Sequence, residues 1–332
     1  MARPMATGSR CLEYVPGPEI TGHAVPRFGD ASLTITVGPV GILLEGLGQD
    51  QRVRLTQRYG VFAAPQASGT AAPDVRVSVF DARREGFLVV GTTGQFPEMY
   101  RIVTSWKGSL LMATSYEWSG WVDLATGDAG LALGEVAQVD QKAFHRSVEN
   151  FLRVIFAHLV VRKNGFLLHS AGLVRDGKAY IFFGPSGSGK TTVTALTPEA
   201  SILSDDLTLV TLGEDGAPRA CSVPFRGVFA PEYSVIQSFP VAGFFRLVQS
   251  PDDSCEKLTG ARAVGELVGS LPFVFEARGD QSPILDAVEK AAIGAPVCRL
   301  KFTKSRSFWN TLSGAGLGRP VDSFSDVRGM KA

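Results

Sequence analysis

A chain of 332 residues, 45% hydrophobic and 20% charged, has the make-up of a globular protein with room for roughly two cores of about 150 residues each. Its 33 Lys and Arg against 32 Asp and Glu leave a net charge of +1, so no global field would hold nucleic acid or an anionic membrane. Thirty-seven glycines and 19 prolines come without a Gly-X-Y period or low-complexity tract, which excludes collagen, coiled coil and a mainly disordered chain.

Residues 1–30 read as irregular, broken by Pro16, Pro18 and Pro26. Arg3, Arg10 and Glu13 there leave no apolar stretch of the kind a secretory signal needs. The longest apolar run, Phe151 to Val161, is interrupted by Arg153 and His158 and is too short to span a bilayer. The four cysteines, Cys11, Cys221, Cys255 and Cys298, are far apart and are expected as buried free thiols in a reducing cytoplasm.

From about Ser32 to Glu135, short alternating runs such as Leu33–Val37, Val75–Phe80 and Tyr100–Thr104 are separated by turn clusters at 46–50, 65–73 and 91–97. This pattern predicts a β-rich N-terminal module over 1–140, sandwich-like or meandering. The pattern then changes. Phe144, Val148, Phe151, Leu152, Ile155 and Leu159 recur at spacings of three and four, which predicts an amphipathic helix over 141–162 stopped by Asn164-Gly165. On that helix His145 and Glu149 could pair, although a solvated face is the expectation, and His158 is expected to pack within the helix interface. No His, Cys and carboxylate set has zinc-like spacing.

Two apolar runs, Phe166–Arg175 and Lys178–Phe183, are joined by Asp176-Gly177, the pair a type I′ hairpin turn demands. The second run leads into Gly184-Pro185-Ser186-Gly187-Ser188-Gly189-Lys190-Thr191, which matches G-x-x-x-x-G-K-[ST], with Thr192 next. A polyphosphate needs several backbone amides converging on it, and only a glycine-rich loop brings the main chain that close. A helix from Lys190 would add its N-terminal amides, Lys190 would reach the β- and γ-oxygens, and the Thr191 hydroxyl suits a bridging Mg²⁺. Fifteen residues after Lys190, the apolar run Ile202-Leu203-Ser204 ends in Asp205-Asp206. Adjacent carboxylates at a strand end suit metal–nucleotide chemistry, one for the metal and one to take a proton. Asp252-Asp253 reads instead as an exposed turn. Leu207–Thr211 should continue as a strand, turning at Gly213–Gly216.

The loop fed by a hairpin strand, His169 in Leu168-His169-Ser170-Ala171-Gly172, and Leu203-Ser204-Asp205-Asp206 together resemble the HPr kinase/phosphorylase family, whose nucleotide site is akin to that of phosphoenolpyruvate carboxykinases. The similarity is clear over about 150–230 and extends weakly to about 312, where Arg299–Phe302 and Phe308-Trp309 look like a terminal strand and helix. The resemblance implies an α+β fold, with the β-rich module followed by a phosphate-loop domain with a mixed sheet over 141–332. It implies ATP and Mg²⁺ as cofactors and a seryl hydroxyl on a small protein or peptide as acceptor. Asp205 would be the catalytic base, Asp206 and Thr191 would support Mg²⁺, and His169 would lie near the γ-phosphate. Arg226, in Pro224-Phe225-Arg226-Gly227, could equally meet a phosphate or carboxylate or stabilise a turn. The full Glu-Ile-Arg-Gly-type segment of the HPr enzymes is absent. In that respect the chain looks more like the divergent relatives that accompany peptide-modification genes. Two alternatives stand beside this reading, a small-molecule kinase or carboxykinase-like enzyme and a non-catalytic nucleotide-gated binding module. A homo-oligomer is left open, and neither nucleic acid nor membrane is expected as a partner.

Overall fold

Alternating burial along short strands and a buried stripe on longer helices build two units, described from a computed structural model over residues 26–63, 72–82, 102–115, 117–225, 227, 229, 236–274 and 281–318. Cys11, Arg226 and the turn cluster at 91–97 lie outside the described residues. The division between the units falls after Leu159. Among the described residues no helix is long and apolar enough to cross a membrane.

The described residues of the first unit form a seven-stranded sheet: β1 (Ala31–Val37), β2 (Val40–Leu47), β3 (Val75–Asp81), β4 (Val103–Lys107), β5 (Leu110–Thr114), β6 (Trp118–Asp123) and β7 (Asp128–Leu133). The spatial order is β1-β2-β3-β7-β6-β5-β4. The meandering expectation holds for β4 to β7, which are antiparallel neighbours in sequence. Among the described residues the sandwich does not form, because β2, β3 and β7 pair in parallel within the same sheet. A parallel pair needs a crossover rather than a hairpin. The β2–β3 crossover contains helix α1 (Gln49–Tyr59), which begins in a stretch that reads as a turn. Only Leu55 and Tyr59 of α1 are buried, so its sequence carries little helical periodicity.

After α2 (Glu135–Val139), helix α3 (Gln141–Val161) follows the predicted stripe and packs on β6. Its Phe151 ring meets Trp118 edge-on at 5.7 Å and lies 2.5 Å from where a Cβ on Gly120 would stand, so Gly120 permits the contact. His158 packs edge-on against Trp106 at 5.1 Å, as the helix-interface expectation has it. The solvated face expected at Glu149 is not found. The Glu149 carboxylate is buried and bridges Arg58 at 2.5 Å and Arg153 at 2.6 Å, the second partner being one helical turn along.

The second unit contains an eight-stranded mixed sheet, giving an α+β fold. Its strands are β8 (Gly165–Arg175), β9 (Lys178–Phe183), β10 (Ser201–Ser204), β11 (Leu207–Leu212), β12 (Pro218–Cys221), β13 (Ser238–Gln249), β14 (Ser254–Leu258) and β15 (Val297–Phe302). Helices α4 (Lys190–Ala195), α5 (Gly260–Val268), α6 (Ser282–Gly294) and α7 (Phe308–Gly314) complete it. The β8–β9 hairpin turns at Asp176 (φ 51°) and Gly177 (φ 69°), the two positive angles expected of type I′. Strands β9, β13 and β15 run parallel, so their C-terminal ends share one edge of the sheet. The core on one face joins Phe182, Val193, Phe245, Phe302, Phe308 and Trp309, the last two from the short terminal helix seen in the sequence. Cys221 and Cys298 are buried and Cys255 is half-buried, so the expectation of buried thiols fails for Cys255 on the outer strand β14.

Candidate active site

The sheet register gathers the site. In β8, Ser170 pairs with Phe183, the last residue of β9, so His169 stands beside the start of the loop that follows β9. On the other side of β8, β10 and β11 pair with two successive stretches of the same strand, Ser204 with Gly172 and Leu207 with His169. Asp205-Asp206 is the jog between them. It is closed by the Ser204 hydroxyl donating to Leu207 O and by the Ser170 amide donating to Asp206 O at 3.0 Å. His169 Nδ1 therefore lies 3.3 Å from Asp206 Oδ1.

The loop Gly184–Thr191 passes from β9 into α4. Three of its glycines have positive φ, 149° at Gly184, 77° at Gly187 and 110° at Gly189. Crowding adds to the requirement. A Cβ on Gly184 would meet Ser188 Oγ at 2.8 Å and Arg246 Nη1 at 2.9 Å, and one on Gly189 would meet the Phe302 ring at 2.5 Å. Pro185, Ser186 and Gly187 are exposed, whereas Ser188 is buried with its hydroxyl unpartnered. The Lys190 ammonium turns back onto its own loop, donating to Gly184 O at 2.8 Å and Pro185 O at 3.2 Å. Burial lowers its pKa most, Arg246 lowers it further and Asp206 acts in the opposite direction, so both charges lie close to the ammonium. Thr191 is exposed and Thr192 half-buried at the start of α4.

The two aspartates face different partners. Asp205 is buried, and both its oxygens accept from backbone amides, Oδ1 from Gly227 at 3.0 Å and Oδ2 from Phe229 at 2.6 Å. A Cβ on Gly227 would stand 2.6 Å from that carboxylate. Asp206 is the one beside His169 and within electrostatic reach of Lys190. Asp253 does lie in a turn, between β13 and β14, but its carboxylate accepts from the Thr303 amide at 2.5 Å and from the Ser307 hydroxyl. Among the described residues no three His, Cys, Asp or Glu gather into a metal-holding group.

Sequence reasoning missed Arg246. It lies in β13 between the buried residues Phe245 and Leu247, in register with Phe183 of the neighbouring parallel strand. Its Nε donates to Glu266 Oε2 on α5 at 3.0 Å. The signal available was one charged residue inside the run Phe244-Phe245-Arg246-Leu247-Val248, where a strand packed on both faces ordinarily has none. Arg246, Glu266, His169, Gly184, Pro185 and Ser270 line a cleft of about 560 Å³ opening beside the loop. A larger cleft of about 660 Å³ between α5 and α6 contains none of these groups.

Residues 135–312, more than half of the chain, match the family described as SynChlorMet cassette protein ScmC. The chain belongs to the ScmC family. No curated protein matches it. Among solved structures, it is similar to the Hpr(Ser) kinase/phosphatase from Coxiella burnetii at 12% identity, over 46% of this chain and 96% of that one, with a TM-score of 0.26. The ScmC match takes in α3, the glycine-rich loop, the aspartate pair, Arg246 and β15.

Proposed function

We propose that this ScmC-family chain is an ATP- and Mg²⁺-dependent kinase whose acceptor is a serine hydroxyl on a small protein or peptide. The observation that carries the reading is the convergence on one loop of two glycines, Gly184 and Gly189, that leave no room for a side chain, a buried lysine, and the Asp206–His169 pair. Lys190 moves from its own carbonyls to the β- and γ-oxygens when a triphosphate enters, and the loop amides take the remaining charge. The Asp206 carboxylate and the exposed Thr191 hydroxyl are hard oxygen donors, and one or two such groups suffice for Mg²⁺, which keeps most of its waters and binds phosphate oxygens. Held by these two residues, Mg²⁺ would supply charge neutralisation for the transferring group.

The acceptor oxygen bonds to the γ-phosphorus as the bond to the β–γ bridging oxygen breaks, ADP leaves, and the acceptor's proton passes to a carboxylate. The resemblance to the HPr kinase/phosphorylase family implies Asp205 for that carboxylate. Its two amide hydrogen bonds favour a second assignment, in which Asp206 with His169 handles the proton and Asp205 holds the amides of Gly227 and Phe229. The cassette in the family's description points to co-encoded proteins or peptides as acceptors to test first. Incubation with γ-labelled ATP and such peptides should label a serine. Lys190→Ala should lose nucleotide binding, whereas Asp205→Asn and Asp206→Asn should both bind nucleotide. Loss of transfer in Asp205→Asn alone would assign the base to Asp205, and loss in Asp206→Asn alone that excess Mg²⁺ does not restore would assign it to Asp206. Label released only as inorganic phosphate with every acceptor would overturn the kinase reading.

A further inference from the structure

We infer that Arg246 is a second phosphate-contacting cation of this site, aimed at the terminal phosphoryl group of a nucleoside triphosphate and held in place by Glu266. The inference rests on the nucleotide-binding reading above. Arg246 is level with Phe183, one residue short of the loop, and its Nη1 lies 2.9 Å from where a Cβ on Gly184 would stand. The guanidinium is therefore placed against the first turn of the loop by the parallel strand pairing itself. Two of its nitrogens are committed, Nε to Glu266 and Nη1 to Leu247 O at 2.8 Å. Among the described residues no hydrogen bond reaches Nη2, which leaves one edge of the fork for a ligand.

A purely structural salt bridge explains this arrangement poorly. Glu266 already has a second partner, Arg299 Nη2 at 2.9 Å, and Arg299 in turn reaches Glu256 at 3.5 Å. Arg262 also answers Glu256 at 3.0 Å, so Glu266 shares Arg299 as well as Arg246, yet Arg246 occupies an apolar strand beside a buried lysine. Two cations brought together inside a protein repel each other unless an anion arrives. Asp206 offsets part of that charge, and a triphosphate would supply the remainder. The chemistry also divides sensibly. Lysine is a mobile point charge, whereas arginine presents a planar fork matched to phosphate oxygens. Glu266 acts through Arg246 and is a positioning residue.

The test uses the full chain with MgATP and MgADP as probes in titration calorimetry. Arg246→Ala should weaken MgATP binding about 10- to 100-fold, the worth of one charged hydrogen-bonded contact, and MgADP binding less than about 3-fold. Guanidinium ion at millimolar concentration should restore part of the MgATP affinity of Arg246→Ala, and Arg246→Lys should retain an intermediate affinity. Glu266→Gln should weaken MgATP binding by a smaller factor, because Arg246 is then free to wander. Equal losses for MgATP and MgADP in Arg246→Ala without guanidinium rescue would assign Arg246 to structure alone and overturn the inference. An unchanged MgATP affinity in Arg246→Ala, beside loss of binding in Lys190→Ala, would overturn this inference and spare the nucleotide reading. Failure of the wild-type chain to bind either nucleotide would overturn both.

Discussion

Lys190 sits under electrostatic tension in the nucleotide-free fold. Its pKa is depressed below the ordinary 10.5, chiefly by burial, so the unfolded chain holds this proton more tightly than the folded one. The charged lysine therefore costs folding free energy at neutral pH, and that cost is relieved as pH rises through the depressed pKa towards 10.5. Lys190→Met should accordingly raise the melting temperature of the nucleotide-free chain at pH 7, with the gain over wild type shrinking at alkaline pH. Calorimetric scans at several pH values check it, and a lower melting temperature at pH 7 would refute it. Gly189 makes the opposite point. Gly189→Ala drives a methyl into the Phe302 ring and strains a φ of 110°, so a loss of about 1–3 kcal/mol is expected in urea unfolding.

At the level of elements, legibility followed how locally each element is determined. The β8–β9 hairpin is written in two residues, Asp176-Gly177, and α3 in a stripe of six apolar positions. Helix α1 was invisible because its role is to join two parallel strands, a fact set by pairing partners distant in sequence. The loop and the aspartate pair could be read from motif and spacing. Their division of labour could not, because the amides that occupy Asp205 belong to residues 22 and 24 positions away. Arg246 escaped for the same reason, since only the β9–β13 register brings it to the loop. Glu149 on α3 shows that helical spacing does not reveal burial. Glu149→Ala would leave Arg58 and Arg153 without this shared carboxylate, and a loss of about 3–5 kcal/mol is expected in urea unfolding.

Across the whole molecule, the proposed chemistry belongs to the second unit, at the edge where β9, β13 and β15 end, the place where open sheets ordinarily receive ligands. Part of that unit's stability depends on acid pH through Glu266. Burial raises its pKa, but the Arg299 hydrogen bond and the Arg246 charge outweigh burial and leave it below the ordinary 4.5. Its contribution is present above 4.5 and is lost as pH falls through the lowered folded value. Glu266→Gln should therefore reduce stability at pH 7 and flatten its decline below pH 4.5, as acid titration of the melting temperature would show. On the outer strand, the neighbouring Cys298 thiol holds the pKa of Cys255 below the ordinary thiol value, while Cys255 and burial push that of Cys298 up. Iodoacetamide should alkylate Cys255 ahead of both buried thiols, and mass spectrometry would reveal any reversed order.

Trp309 turns this packing into an optical signal. Its indole Nε1–H donates to Thr197 Oγ1 at 3.1 Å, just past the short helix that follows the glycine-rich loop, and its ring stands edge-on to Phe182 at 5.9 Å. The other three tryptophans, Trp106, Trp118 and Trp121, belong to the first unit. Replacing those three with phenylalanine would leave a single tryptophan wired to α4, whose emission maximum and quenching would report any displacement of that helix without an added dye.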